Sequence, residues 1–286
     1  MQVRRGRNKL LYVLALLFFA GMAVFSGYRV YTILTEYRVG EESAQALQQY
    51  VTLQPEAPQT VTDIQKVPAT SGESAAAPLP EESPEPTEPA EPDPNYPLVD
   101  FAALKEINPD VLGWIYIEGT TINYPIVQGA DNDYYLSRLV DGTSNKAGSI
   151  FLDYRNTPDF SDYHTVIYGH NMKNGTMFAD ITEYKKEAFL EAHPVGKIMT
   201  PRGNFQIEII GGYVADLRDP AWELHFETDE DRLEWLRDAM KRSTVGGDYV
   251  PVGGEQIITL STCSYEFDDA RFVVICRVSE TPFKDK

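Results

Sequence analysis

The sequence predicts a mainly β domain with a few peripheral helices, preceded by a membrane helix and an unfolded linker. Three observations lead to this fold class. An uncharged apolar run lies near the N-terminus, a Pro/Glu-rich stretch follows it, and seven or eight short strand-like segments come after both. Because few helices separate these strands, a closed or nearly closed mixed sheet is favoured. The three regions are residues 1–38, 39–95 and 96–286.

The composition excludes several functional classes. The 286 residues include 43 acidic and 25 basic side chains, and the formal charge is −18. A charge of this sign repels phosphate, so we expect no nucleic-acid partner. Two cysteines are too few for a disulfide-stapled scaffold or a four-thiolate zinc site. No pair of histidines has metal-ligand spacing, so neither a metal nor a cofactor is expected.

Residues 1–38 have the pattern of a membrane anchor. Four basic residues lie among the first nine, and the uncharged run Leu10–Tyr28 follows them. As a helix this run spans about 28 Å, close to the thickness of the hydrocarbon core. A cleaved secretory signal is the alternative, but its apolar core is shorter and does not continue into interfacial residues such as Tyr31. We expect an uncleaved single-pass signal anchor, with the N-terminus cytoplasmic and the rest of the chain extracellular.

Residues 39–95 have the composition of a tether. They hold ten of the 19 prolines and no Trp or Phe. Such a segment cannot bury enough apolar surface to offset its ordering entropy, so it should be extended and hold the domain away from the bilayer. Two alternatives remain: Glu41–Leu53 prolongs the membrane helix, or the segment is an acidic binding tail.

Residues 96–286 should form the folded domain. A first helix is predicted at Leu98–Ile107, and two others at Met177–Tyr184 and at Asp229–Arg242, the last with Thr228 as its N-cap. The predicted strands are residues 111–117, 121–127, 148–152, 164–168, 196–200, 204–215, 256–261 and 271–278.

Cys263 is the candidate nucleophile. It ends a strand in which Ser261 and Cys263 share one face, and Arg271 opens the next strand after seven residues. If the two strands pair as a hairpin, the thiol and the guanidinium lie side by side. The commoner fate of a free cysteine is burial as a small hydrophobic residue. The polar loop that follows Cys263 argues against that fate.

Cys276 should be a core residue. It lies within the second strand on the face opposite Arg271, among apolar neighbours. A Cys263–Cys276 disulfide is the alternative for an exported protein, but it requires the Cys276 side chain to point the other way.

Of the four histidines, His170 is the candidate acid or base. It closes a strand and enters a turn-rich segment, where side chains become accessible. His164, His193 and His225 are interpreted as surface or packing residues. Together, Cys263, His170 and Arg271 suffice for acyl transfer. The thiolate attacks, the guanidinium stabilises the oxyanion, and the imidazole protonates the leaving amine.

These residues resemble those of a sortase, the cysteine transpeptidase of Gram-positive cell surfaces. The similarity rests on Thr259-Leu-Ser-Thr-Cys263, on Arg271, on Tyr168-Gly-His-Asn-Met172, and on Asn108–Trp114 and Gly148–Tyr154. The serine within the cysteine motif, the helix before the cysteine strand and the lack of a C-terminal membrane segment resemble class B members.

The resemblance implies an eight-stranded sortase barrel with the catalytic residues His170, Cys263 and Arg271. Cys263 would cleave a sorting signal of a surface protein after its threonine and form a thioacyl enzyme. An amine of peptidoglycan or a pilin lysine would then accept the acyl group. Ser261 matches a position where family members contact the signal peptide; packing within the strand is the equal alternative.

Two other functions remain as alternatives. An exported cysteine peptidase would use water as the second nucleophile, although papain-like enzymes place the cysteine before the histidine and use no arginine. A catalytically idle, membrane-tethered binding domain would carry an unreactive Cys263.

Overall fold

The fold is a closed barrel of eight strands with helices on its outside. A computed structural model of the chain describes residues 2–53, 95–247 and 249–280. Strands β1 (Val51–Thr52) and β2 (Leu98–Val99) pair outside the barrel. Around the barrel the order is β10 (Arg271–Glu280), β8 (Gly203–Ala215), β7 (Val195–Thr200), β3 (Val111–Tyr116), β4 (Asn123–Val127), β5 (Ile150–Leu152), β6 (His164–Tyr168) and β9 (Ile257–Cys263), and β9 pairs with β10 to close it. The predicted closed mixed sheet is therefore confirmed. Closure removes every free strand edge, so the backbone hydrogen bonds of the sheet are satisfied internally.

The barrel strands agree closely with the sequence pattern, because alternating or continuous apolar residues bounded by turns mark each of them. They are β3 Val111–Tyr116, β4 Asn123–Val127, β5 Ile150–Leu152, β6 His164–Tyr168, β7 Val195–Thr200, β8 Gly203–Ala215, β9 Ile257–Cys263 and β10 Arg271–Glu280.

Two of the neighbouring pairs in the barrel are parallel, β4 with β5 and β6 with β9, and the other pairs are antiparallel. The β9–β10 pair is the hairpin expected from the sequence. Its register places Arg271 directly opposite Cys263. Parallel pairing of β6 with β9 brings the C-terminal ends of these two strands to the same edge of the barrel.

The N-terminal helix is longer than predicted. Helix α1 spans Gln2–Leu47 and is followed by a 3-10 turn and by β1 at Val51–Thr52, which pairs with β2 at Leu98–Val99. The linker was predicted to begin at residue 39, with a prolonged membrane helix over Glu41–Leu53 as the alternative. The helix does continue past residue 39, but it ends at Leu47. The rest of the predicted linker, residues 54–94, lies outside the described residues.

Two predicted helices differ from those observed. The helix predicted from Leu98 begins at Phe101 as α2, Phe101–Ile107, because Leu98 pairs with β1 and the Asp100 carboxylate accepts a hydrogen bond from the Ala103 N–H (3.0 Å). The helix predicted at Met177–Tyr184 is wrong: a 3-10 helix covers Ala179–Lys185, and α3 follows at Glu187–Ala192. Met177 has a positive φ of 60°, which no α-helix includes.

Helix α4, Asp229–Arg242, agrees with the prediction at both ends. Thr228 caps it in a capping box with Asp231, and three acidic residues occupy its first turn. Its buried face packs on the outer surface of β9 and β10, where Ile257 and Val273 point away from the barrel interior. Residues on the opposite face of these strands, among them Leu260, fill the barrel core. The outer face of β9 therefore lies in contact with the α4 layer, and Cys263 ends that face.

Candidate active site

Cys263 lies at the mouth of the barrel, at the end of β9. Its side chain is half-buried, whereas Cys276 is fully buried in the barrel core. Both are free thiols, so the disulfide alternative is wrong. The physical reason is the alternation of strand residues, which puts Cys276 on the inner face and Cys263 on the outer one. Burial raises the pKa of the Cys276 thiol and keeps it protonated.

His170 is held beside Cys263 by side-chain hydrogen bonds at the end of the β6–β9 ladder. The Thr262 hydroxyl donates to the Gly169 carbonyl (2.7 Å), and the Asn171 amide donates to the Cys263 carbonyl (3.1 Å). Both bonds join the segment that carries the imidazole to the strand that carries the thiol. The histidine that the sequence places at a strand exit therefore lies beside Cys263 in the structure.

A backbone carbonyl orients the imidazole. His170 Nε2 lies 2.7 Å from the Leu136 carbonyl oxygen, which only accepts hydrogen bonds. Nε2 therefore keeps its hydrogen in both protonation states, and the titrating proton resides on Nδ1. In this site a main-chain oxygen takes the part that a carboxylate takes in other nucleophile–imidazole systems.

The thiol and the imidazole favour each other's charged form. A hydrogen bond with His170 lowers the pKa of Cys263 below its ordinary value against the opposing effect of burial, and the positive charge of Arg271 lowers it further. The same hydrogen bond raises the pKa of His170. The two titrations are coupled, so the thiolate–imidazolium state belongs to the pair.

Arg271 is half-buried at the start of β10, opposite Cys263. Its Nη1 donates to the Ala270 carbonyl (3.1 Å), which fixes one edge of the guanidinium. The side chain, with its remaining N–H donors, lines a groove in the surface. Such donors stabilise the charge of a tetrahedral intermediate.

A groove of about 360 Å³ is lined by Arg271 and by Leu136, whose carbonyl orients His170. The sequence did not predict which residues form the walls of this groove. They come largely from the segment before β5 and from the segment after β8. Ser261 lines the groove, and its hydroxyl accepts a hydrogen bond from the Trp222 indole N–H (3.2 Å). The lining residues are Asn132, Asp133, Leu136, Phe151, Tyr168, Leu217, Trp222, Ser261 and Arg271.

A buried carboxylate supports one wall of the groove. Asp153 accepts hydrogen bonds from the Tyr168 hydroxyl (2.9 Å), the Asn132 amide (3.1 Å) and the Arg155 guanidinium (2.8 Å). Burial raises the pKa of Asp153, but these donors outweigh it and the net pKa is lowered. The charged Asp153 thus holds two groove residues in place.

The other three histidines lie apart from the thiol. His164 is buried, its Nδ1 donating to the Glu223 carbonyl (2.6 Å) and its Nε2 accepting from the Thr259 hydroxyl (2.7 Å). Burial lowers the pKa of His164 to about 4, so it is neutral at physiological pH. His193 contacts the Glu118 carbonyl, and His225 is exposed. Within the described residues no cluster of His, Cys, Asp and Glu has the arrangement of a metal site.

Comparison with known proteins agrees with this barrel. A family model described as a sortase domain matches residues 115–200. Sortase B of Listeria monocytogenes is 41% identical over 165 residues, which are 58% of this chain and 67% of the relative. Sortase B of Staphylococcus aureus is 32% identical over 180 residues, 62% of this chain and 74% of the relative. A Staphylococcus aureus sortase B–substrate complex superposes with a TM-score of 0.60 at 33% identity, covering 63% of this chain and 85% of the other.

Fold and sequence together define a sortase, a cysteine transpeptidase built on an eight-stranded barrel. Within that class the chain belongs to the sortase B family. Its activity is the transpeptidation by which such enzymes anchor surface proteins.

Proposed function

We propose that the chain is a membrane-anchored transpeptidase in which Cys263, His170 and Arg271 form the catalytic site. One observation carries this assignment. The half-buried thiol is hydrogen-bonded to the imidazole that lowers its pKa, and it lies opposite the guanidinium of Arg271, which lines a groove. The alternative of an idle binding domain with an unreactive thiol has no support in this arrangement, because both neighbours favour the thiolate.

The proposed reaction has two acyl transfers. In the first, the Cys263 thiolate attacks the carbonyl of the scissile threonine, and the oxyanion forms beside Arg271. His170 gives the proton on Nδ1 to the leaving amine, the C–N bond breaks, and a thioester remains. In the second, an incoming amine attacks the thioester and gives its proton back to His170. The new amide bond forms as Cys263 leaves as a thiolate.

The substrate proposed is the threonine-containing sorting signal of a surface protein, and the acceptor is an amine of peptidoglycan or a pilin lysine. The groove beside Ser261 is where the signal peptide would lie. The membrane part of the proposal assigns residues 1–38 to a basic cytoplasmic tip and a transmembrane anchor, and residues 96–286 to an extracellular catalytic domain. Helix α1 is long and apolar enough to cross a membrane, which supports the anchor.

The test is mass spectrometry of products from a panel of signal peptides, with and without candidate amines. We expect cleavage after threonine and a new amide when the accepted amine is present. Cys263→Ala should abolish both products, His170→Ala nearly so, and Arg271→Ala should reduce turnover by two or more orders of magnitude. Products that contain only the free carboxylate, whatever amine is added, would favour the exported peptidase.

Ser261 has two assigned roles that a pair of variants separates. Ser261→Ala removes the hydroxyl, and Trp222→Phe removes the indole N–H that bonds to it together with one ring of the side chain. If Ser261 contacts the signal peptide, Ser261→Ala should raise KM severalfold while Trp222→Phe has a smaller effect. Equal effects from the two variants would show that the hydroxyl serves only to hold Trp222.

A further inference from the structure

The last three turns of helix α1 lie against the barrel. Tyr37, Gly40, Ala44 and Leu47 make this contact, and their separations of three and four residues place them on one helical face. Tyr37 and Ala44 pack against the barrel core. Leu47 is only 7% exposed, in a cluster that includes Trp114 of β3. The helix therefore continues into the fold of the domain.

Polar contacts fix the same stretch to the segment before β5. The Asn145 side-chain amide donates to the Glu36 carbonyl (2.9 Å), and the Lys146 ammonium lies 2.8 Å from the Glu36 carboxylate. Gly40 is buried, and a Cβ placed on it would lie 3.0 Å from the Ala147 Cβ. The two backbones thus approach so closely that only glycine fits at position 40 without movement.

The chain that follows the helix is also tied down. Val51 pairs with Val99, and the Asp100 N–H donates to the Tyr50 carbonyl (2.9 Å). Leu53 and Asn95, the described residues on either side of the stretch 54–94, therefore both lie close to this strand pair. We call residues 36–53 the collar.

We infer that the collar joins the membrane helix and the barrel into one body, so that the catalytic domain sits on the bilayer whatever the length of residues 54–94. This inference rests on the proposed membrane anchor. From Tyr28, where the apolar run ends, to Glu36 is about 12 Å of helix, against about 5–8 Å for the headgroup layer of one leaflet. A free linker over residues 39–95 would instead allow a separation of roughly 40 Å.

The collar also reaches the active site through the chain it contacts. Leu139 and Val140 line a narrow cavity together with Gly40 and Ala44 of the helix. Leu136, three residues before Leu139, provides the carbonyl that orients His170. Detachment of the collar should therefore loosen the imidazole as well as the domain.

The experiment measures the distance from the domain to the bilayer in nanodiscs. The full chain carries Cys263→Ser, and Thr143→Cys, an exposed position beside the collar contact, holds a donor dye. Cys276 is buried and protonated, so it stays unlabelled. An acceptor dye is attached to lipid headgroups. In one variant residues 54–94 are replaced by six Gly/Ser residues; in another, Gly40→Leu disrupts the contact.

Energy transfer should be high in the starting chain and unchanged within about 10% when residues 54–94 are replaced. Gly40→Leu should reduce it at least twofold. The matched control is Gly27→Leu on the same helix, where a Cβ would meet nothing within 4 Å. Both substitutions raise helix propensity alike, so a difference between them reports the contact. Transfer that rises when residues 54–94 are replaced would overturn the inference, because it would mean that those residues had kept the domain at a distance.

Failure of the membrane anchor is recognised separately. A chain that does not co-float with vesicles refutes the anchor, and the collar is then judged by hydrogen exchange at the Asp100 amide of the same full chain. Gly40→Leu should accelerate that exchange at least tenfold, while Gly27→Leu leaves it unchanged. In the Cys263 form, Gly40→Leu should also move the pH midpoint of thiol alkylation upward. Unchanged exchange at Asp100 in Gly40→Leu would refute the collar.

Discussion

At the scale of single residues, the charge state of Cys263 depends on two neighbours of unequal weight. The hydrogen bond with His170 is the largest cause of its lowered pKa, and the charge of Arg271 is a smaller one. Because only the thiolate reacts with iodoacetamide, the pH dependence of alkylation reports this pKa directly.

We predict that the alkylation midpoint of the native protein lies below the ordinary thiol value of 9.0. Removing a positive or donating neighbour disfavours the thiolate, so both variants should move the midpoint upward, His170→Ala more than Arg271→Gln. Arg237→Gln, on the exposed side of α4, is the control and should leave it unchanged. An order in which Arg271→Gln has the larger effect would contradict this account of the site.

Gly169 has no side chain, and this lets the backbone pass close to Ile150 and Phe178 and place His170 beside Cys263. A Cβ at this position would lie 2.4 Å from Ile150 Cδ1 and 2.7 Å from the Phe178 ring. We predict that Gly169→Ala costs about 1–3 kcal/mol of unfolding free energy. It should also lower kcat/KM by about a hundredfold, because the imidazole is displaced from the thiol. Urea denaturation and peptide cleavage measure the two effects.

The comparison variant for Gly169 is Gly247→Ala, where a Cβ would meet nothing within 4 Å. It should change neither stability nor turnover. Full activity in Gly169→Ala would show that the imidazole tolerates a shift of its backbone.

At this scale the sequence predicted the side chains of the proposed triad but not what surrounds them. A cysteine, a histidine and an arginine at strand ends are visible as residue types. The Leu136 carbonyl that orients His170 is a backbone atom, and backbone atoms leave no mark in the composition. Trp222 was missed because it lies in an irregular segment with no periodic pattern.

At the scale of elements, His164 connects the segment after β8 to strand β9. It accepts a hydrogen bond from Thr259 and donates one to the Glu223 carbonyl, next to the groove residue Trp222. In the unfolded chain the imidazole titrates near 6.5, and in the folded protein near 4. Between these values the unfolded state binds more protons, so the contribution of His164 to stability falls as pH decreases.

We predict that this loss reaches about 3 kcal/mol between pH 6.5 and pH 4. Urea unfolding of His164→Gln should lack that part of the pH dependence, so its deficit relative to the native protein should shrink as pH falls. The exposed His225 provides the control, and His225→Gln should unfold with the native pH dependence. A deficit in His164→Gln that is constant with pH would mean that the imidazole titrates normally in the folded protein.

The strands were predicted better than the short helices, for a physical reason. Alternation along β9 and β10 fixes which side chains face the core, and the hairpin register followed from the loop length. The 3-10 helix at Ala179–Lys185 depends instead on a positive φ at Met177, and nothing in a methionine side chain signals that conformation.

At the scale of the whole molecule, the eight-stranded barrel was implied by family resemblance, and the collar was not predicted as a docked element. Most of the collar falls within the predicted linker, residues 39–95, whose composition is dominated by a proline-rich acidic stretch. The amphipathic pattern of the collar was therefore not recognised. The signal was present as Gly40, Ala44 and Leu47 at helical spacing.

We predict that Leu47→Ala lowers the unfolding free energy of the barrel by about 2–5 kcal/mol, as a buried leucine does and a residue of a free tether does not. Leu53→Ala, at a position 51% exposed, should change it by less than about 0.5 kcal/mol. Chemical denaturation of the full chain in detergent, followed by the fluorescence of Trp114 and the other indoles, provides the measurement. Equal stability of the two variants would argue that the collar is detached in solution.

The hairpin that carries Cys263 and Arg271 has a consequence for engineering. Ser264 and Ala270 close its loop with a hydrogen bond (2.9 Å), and all five residues between them are exposed. Because strand register, not the loop tip, sets the position of the thiol opposite the guanidinium, that tip is a natural position for combinatorial libraries. Grafted sequences there would border the catalytic centre, and those that keep the contacts of Tyr265 with Asn171 and of Glu266 with Lys185 should leave its geometry intact.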